Sequence, residues 1–496
     1  MKVEKCTGNP QITFFKVIYR RHTNFSMESI EQVFNGSADW GKKVTCTVSR
    51  NGDLIHKTYL QVVLPDVTVP IPAAPQSGTR YNGFRWVNWV GHALLKHVEL
   101  EIGGQRIDKH WSTWIHIWNE LSQSAGHSVG YANMVGNTSD LTGLTISDSD
   151  DAQAAKCKGK TLYIPLQFWF CTSAGLALPL IALQYHEVKI NIEFAALDDL
   201  YWAGTSDNNI TWINAPMQSS VVTPPPIAYA SLYIDYVYLD SEERRRMAQV
   251  SHEFLITQLQ FTGEESTNNA NYRVKLNFNH PCKELIWIVQ PQSFTDSSTR
   301  PTYGKQWFNF SDTVWTDPTV QNGGWSYLSA GAAGGLGALR VNVLNDTGNN
   351  PTSQAKLQLN GHDRFSTREG SYFNLVQPYQ HHTNIPAKGI NVYSFALTPE
   401  EHQPSGTCNF SRIDNATLQL TLTPQSVTNG SSTVVIKVFA LNYNVLRIMS
   451  GINILYYLFR TISCLLGYFA SEMGKQCKQD MGLVQEPSCN WLVSCY

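Results

Sequence analysis

Three groups of residues in this chain have types that metal binding or acid–base chemistry uses: the adjacent His381 and His382, the acidic stretch SDSDDAQ starting at Ser147, and the pair His186–Glu187. Imidazoles that share a metal from one helix stand four residues apart, so adjacent histidines read as a loop pair. The acidic stretch lacks the glycine and terminal glutamate of a calcium loop and reads as a solvated turn. His186 and Glu187 point to opposite faces of a strand and cannot both face one substrate. No GxSxG elbow or HExxH pair occurs, and the glycines of SAGAAGGLGALR, residues 329–340, neither fit GxGxxG nor precede Lys-Ser or Lys-Thr. No catalytic residue, cofactor site or metal site is assigned, and the enzyme reading lacks its minimum parts. The basic runs 19–22 and 244–246 are too short to track a phosphate backbone and read as partners for carboxylates across an interface.

The elements that would hold such residues are strands. Charged residues make up 15% of the 496, aromatics 11%, and there are 22 Pro and 34 Gly, a profile of a loop-rich all-β protein. LYIPLQFWFCTSAGLALPLIALQYHEVKINIEF, residues 162–194, stacks strand-like apolar segments around a Pro/Gly corner. Its last part alternates Val188, Ile190, Ile192 and Phe194 with polar residues, which predicts a strand with one buried face. The net charge of -2 gives no global pull toward nucleic acid or an anionic membrane. Ten cysteines without a CxxC pair argue against a disulfide framework or zinc site and fit a reducing compartment. The opening MKVEKCTGNPQ lacks the apolar core of a signal peptide, so secretory export is not expected.

Three features recur in the same order in the two halves. LEIGGQRID (100–108) and LQLNGHDRF (357–365) each alternate and turn through a Gly-Gly or Asn-Gly pair. A Pro-interrupted stretch ending in an alternating strand follows at 178–194 and at 403–422, and LYIDYVYLDSEERRRM (232–247) is echoed by IKVFALNYNVLRIM (436–449). The repeats predict a duplicated domain. The expected organisation is an N-terminal arm over 1–11, a first jelly roll over 12–240, a linker helix over 241–252 capped by Asp240 or Ser241, a second jelly roll over 253–448, and an apolar, cysteine-containing tail over 449–496. The fold class is all-β: two consecutive eight-stranded antiparallel jelly-roll sandwiches with long loops.

TGNPQITFFKVIYRRHTNFSMESI (7–30), ELEIGGQRIDKHW (99–111), GLALPLIALQYHEVKI (175–190), LNGHDRFSTREGSYFN (359–374), QPSGTCNFSRIDNATL (403–418) and NYNVLRIMSG (442–451) closely resemble the major capsid protein of large icosahedral double-stranded DNA viruses, the algal-virus and iridovirus-like group. The resemblance covers most of residues 7–451. It implies a double jelly roll whose homotrimer forms a pseudo-hexagonal capsomer in a virion shell. The implied partners are neighbouring capsomers and minor capsid and penton proteins, with no direct nucleic acid contact and synthesis in the host cytoplasm; an inner viral membrane enters only as one reading of the tail, where the chain departs from the family. A glycan-binding β-sandwich is the alternative; it shares the strands and aromatics but normally carries a signal peptide. A carbohydrate-active enzyme would need paired carboxylates in a cleft, and Glu99 with Glu101 share a strand face without an aromatic platform.

Aromatic density around 111–118 and 307–325 nominates Trp114, Trp118 and Trp315 as trimer contacts, with core packing as the competing role. Among the Asn-X-Ser/Thr sequons, Asn309 and Asn345 are the candidate glycosylation sites, because loop residues surround them. The start is shorter than the family's, and the run INILYYLFRTISCLLGYFA, residues 452–470, carries a single charge at Arg460. A membrane anchor, a helix packed on the capsomer and an altered reading frame are the three readings of that tail.

Overall fold

The strand alternation organises two sandwiches of the same topology, seen in a computed structural model that describes residues 22–74, 80–207, 222–295, 305–313, 348–427, 433–449 and 452–456. The chain divides into two compact units. One comprises Met1–Ile115, Val129–His252 and Ile448–Asn453; the other comprises His116–Ser128, Glu253–Arg447 and Ile454–Tyr496. The stretch His116–Ser128 thus groups with the second unit although it lies in sequence within the first.

In the first unit eight principal strands run in chain order as β1 (Phe25–Gln32), β2 (Lys43–Thr47), β3 (Leu54–Val63), β4 (Leu95–Ile102), β5 (Gln105–Trp111), β6 (Thr161–Pro165), β7 (Val188–Phe194) and β8 (Tyr229–Leu239). They form two antiparallel sheets, ordered β1-β8-β3-β6 and β2-β7-β4-β5. The expected alternation holds in β7: Val188, Ile190, Ile192 and Phe194 are at most 2% exposed, while Lys189 and Glu193 stay half-exposed. Burial of that one face is the main stabilising term of the strand, and a one-residue slip would turn it outward.

The second unit repeats the order with β9 (His252–Thr267), β10 (Asn271–Lys275), β11 (Pro281–Pro291), β12 (Thr352–Leu359), β13 (His362–Asp363), β14 (Ile390–Ser394), β15 (Ala416–Leu422) and β16 (Val434–Met449). Its sheets are β9-β16-β11-β14 and β10-β15-β12-β13, the same arrangement strand for strand. The core lies between them: Leu285, Trp287 and Val289 of β11 and Ile436, Val438 and Ala440 of β16 meet Ala355 and Leu357 of β12 and Leu418 and Leu420 of β15. This is the jelly-roll order, in which strands adjacent in sequence alternate between two facing sheets except at the one hairpin of each unit, β4–β5 and β12–β13.

The recurring turn motifs sit at equivalent places. Gly103 (φ 58) and Gly104 (φ 81) join β4 to β5, and Asn360 (φ 50) and Gly361 (φ 82) join β12 to β13. Ile102 faces Gln105 across one turn and Leu359 faces His362 across the other. Both are two-residue hairpins needing left-handed backbone at each central position, which is why glycine and asparagine occupy them. A helix at Ser241–Gln249 follows β8, with the Asp240 carboxylate accepting from Ser241 N at 2.8 Å as its N-cap.

Candidate assembly surfaces and a buried polar cluster

SDSDDAQ is a hydrogen-bonded turn: Asp148 N donates to Asp151 Oδ2 and Asp150 N to Asp148 Oδ1, both at 2.8 Å. Arg244 Nε sits 3.0 Å from Asp53 Oδ1 within the first unit, so that residue of the run pairs inside its own unit and not across an interface. Among the described residues no group of three His, Cys, Asp or Glu side chains is placed to hold a metal ion. The stretches 19–21 and 329–340 lie outside the described residues.

His382 departs from a loop histidine. It follows the short helix Gln377–His381, and its ring is sealed from solvent, with Nε2 2.9 Å from Glu284 Oε2 and Nδ1 3.0 Å from Glu400 Oε1. Burial by itself would lower the imidazole pKa; the two carboxylates outweigh it and push the group up to about 9. Glu400 is raised by burial but held below the ordinary carboxylate range by His382 and by the hydroxyl and backbone N–H of Thr383. The result is a protonated imidazole tying the 377–402 segment to the central strand β11. His381 Nδ1, by contrast, lies at the surface 2.8 Å from Leu397 O.

The same sheet of the two units differs in its outer face. In the second unit, β11 is buried on both sides: opposite the core face, Glu284, Ile286, Ile288 and Gln290 are at most 3% exposed. Glu284 meets His382, and Gln290 Nε2 donates to the carbonyls of Gln306, Trp307 and Asn309 at 2.9–3.2 Å. In the first unit, the register places Phe25, Met27, Tyr163 and Tyr229 on the outer face of β1-β8-β3-β6, and they are 58%, 45%, 43% and 44% exposed. Tyr229 donates to Glu31 Oε1 at 2.6 Å, and that hydroxyl is the main cause holding the Glu31 carboxyl below its ordinary range. The face is aromatic, and Glu31, a charge on it, is already hydrogen-bonded.

A second apolar exposure lies on the helical segment Tyr372–Val376 and Gln377–His381. Phe373, Asn374, Gln377 and Pro378 turn inward, while Leu375 (48% exposed), Val376 (40%) and Tyr379 (77%) form an outward ridge. Contiguous apolar exposure of this kind marks association surfaces on proteins. Sequence reasoning missed both surfaces; for the ridge, the only local signal is the apolar pair in NLVQPY, too short to show a helical period.

The nominated tryptophans and asparagines fall differently. Trp114 is 2% exposed, so its ring is committed to the packing of its own chain, and the trimer-contact role is corrected to a core one. Trp118 is half-buried and meets the His382 ring edge-on at 6.4 Å. Trp315 and Asn345 lie outside the described residues. Asn309 is 0% exposed; its Nδ2 donates to Gln306 Oε1 and Thr313 O, and its Oδ1 accepts from Ser311 N and Oγ. The glycosylation role is therefore corrected: the nitrogen that would carry sugar is enclosed and both its hydrogens are used. Of the tail, Ile452–Tyr456 forms a strand, and residues 457–496 lie outside the described residues. No helix among the described residues is long and apolar enough to cross a membrane.

Two jelly rolls of one strand order, with apolar surface held outward on each, define a double jelly-roll protein built for association. The family described as "Large eukaryotic DNA virus major capsid protein" matches residues 243–453, and "Major capsid protein N-terminus" matches residues 13–240. The major capsid protein of Phaeocystis pouchetii virus is 49% identical, covering 91% of this chain and 96% of that protein. A chain of the PBCV-1 virus capsid superposes with a TM-score of 0.62 at 36% identity, covering 90% of this chain and all of that one. The Faustovirus major capsid protein, 14% identical, shares the fold at a TM-score of 0.67, covering 88% of this chain and 93% of that one. The chain belongs to the major capsid protein family of large eukaryotic DNA viruses. It is a structural protein of the virion shell.

Proposed function

We propose that three copies of this chain close into a trimer whose six sandwiches form a pseudo-hexagonal capsomer, the tile of an icosahedral capsid. The observation that carries this reading is the identical strand order of the two units: three duplicated chains offer six similar edges to neighbouring tiles. Threefold closure needs a head-to-tail contact between two different patches of the chain. The ridge Leu375–Val376–Tyr379 of one copy is assigned to the Phe25–Met27–Tyr163–Tyr229 face of the next. Aromatic side chains give large contact area for little entropy cost, which suits both patches. Trp118 and Trp315 belong to the same contact reading. Neighbouring capsomers and minor capsid and penton proteins are the further partners, residues 452–470 are the segment that would meet an inner viral membrane, and the net charge of -2 argues against direct nucleic acid contact. Synthesis in the host cytoplasm fits the free thiols of the described cysteines. Negative-stain imaging of the purified oligomer tests the reading: hexagonal outlines with a threefold axis are expected, and round or twofold particles would refute it.

A further inference from the structure

The second unit brings two cysteines into direct cross-strand register. Cys408, in the two-residue strand Cys408–Asn409, stands opposite Cys282 at the start of β11, with Pro281 opposite Asn409. Directly opposed residues of an antiparallel pair project to the same face with Cα atoms about 4.5–5.5 Å apart. That spacing falls within the roughly 4.4–6.8 Å that disulfides span. The two side chains also share one hydrophobic cluster, Cys282 fully buried and Cys408 packed against it. Elsewhere among the described cysteines no such pair exists: Cys46 faces Ile190 and Cys157 faces Val67.

We propose that Cys282 and Cys408 are a disulfide-forming pair, thiols in the newly made chain and bridged when the protein meets an oxidising pool of small disulfides. Both are free thiols in this structure, and Cys282 Sγ donates to Glu284 O at 3.0 Å. Burial pushes both thiols up, Cys282 far above its usual range; at Cys408 the Arg364 charge opposes the rise. The half-buried Cys408 is therefore the entering sulfur. Its thiolate attacks one sulfur of a low-molecular-weight disulfide and expels one thiolate. Cys282, giving its proton to solvent, then attacks Cys408 Sγ and expels the second. Two protein thiols are oxidised and one small disulfide is reduced to two thiols.

The bond would fasten the strand Cys408–Asn409 and the following turn Phe410–Arg412 to the central strand of the second sandwich. It would close a long loop, the arrangement in which a crosslink restrains the unfolded chain most. A shell protein folded under reducing conditions would thereby harden after release without any change of fold.

The test is non-reduced peptide mapping of the full-length protein after incubation with oxidised glutathione, with remaining thiols alkylated in denaturant. A linked peptide pair containing Cys282 and Cys408, lighter by two hydrogens and lost on reduction, is expected. The unfolding temperature should shift upward, reversibly with reductant, and the shift should vanish in Cys408→Ser. Alkylation of both cysteines in protein whose tryptophan fluorescence is unchanged would overturn the proposal, as would glutathione remaining on Cys408 or either cysteine bridging elsewhere. The mapping needs only the wild-type chain, so failure of a variant to fold does not blunt it.

Discussion

His382 Nε2 lies 2.9 Å from Glu284 Oε2 with both side chains sealed from solvent. The pair holds the 377–402 segment on strand β11, and the charge on the imidazole is what makes the attachment favourable. Its folded-state pKa of about 9 stands above the ordinary histidine value of 6.5. The stabilisation is therefore fully present below about pH 6.5 and lost as pH rises through about 9, amounting to about 3 kcal/mol. Chemical unfolding at a series of pH values between 7 and 10 should show this loss, and His382→Gln should flatten that part of the profile. Equal slopes in the two proteins would contradict the assignment.

Two glycines with similar backbone separate steric cost from conformational cost. A Cβ on Gly389 (φ 92) would collide with the Phe310 carbonyl oxygen, whereas one on Gly361 (φ 82) meets nothing within 4 Å. Gly361→Ala should cost about 1–2 kcal/mol, the left-handed penalty alone. Gly389→Ala should cost more than about 4 kcal/mol or prevent folding. Urea unfolding midpoints of the two variants measure the difference.

Trp114 tests the core role given to it by burial. Trp114→Ala should lose about 3–5 kcal/mol of stability through the cavity it leaves. Its effect on subunit association should follow from that loss alone, which calorimetry of the variant alongside its oligomer distribution would reveal.

How far the sequence reaches can be judged at particular residues. The hairpins at 103–104 and 360–361 are legible because a two-residue turn demands residues that tolerate positive φ. Alternation from Val188 to Phe194 is legible because the side-chain period of a strand is two. The burial of His382 is not, since it depends on Glu284 and Glu400, each brought near by tertiary packing. Asn309 carries a sequon that local composition places on a surface loop, but Gln290 of β11 draws that loop onto the sheet. The outward ridge at 375–379 is hidden because its helix is short and passes through a π turn at Tyr372–Val376 that departs from the 3.6-residue period.

The two association patches predict a separation of assembly from folding. Leu375→Asp and Tyr379→Asp place charge at positions 48% and 77% exposed, where folded-state cost should stay within about 0.5 kcal/mol. Each should raise the dissociation constant of the oligomer at least tenfold in sedimentation velocity, with unchanged circular dichroism. Met27→Asp should do the same from the opposite side of the contact.

The solution mass of the purified chain, measured by light scattering over a range of concentrations, bears most directly on the capsomer account. A particle of three times 55.7 kDa that persists on dilution is predicted. A monomer of 55.7 kDa at every concentration, or an even-numbered assembly, would contradict it.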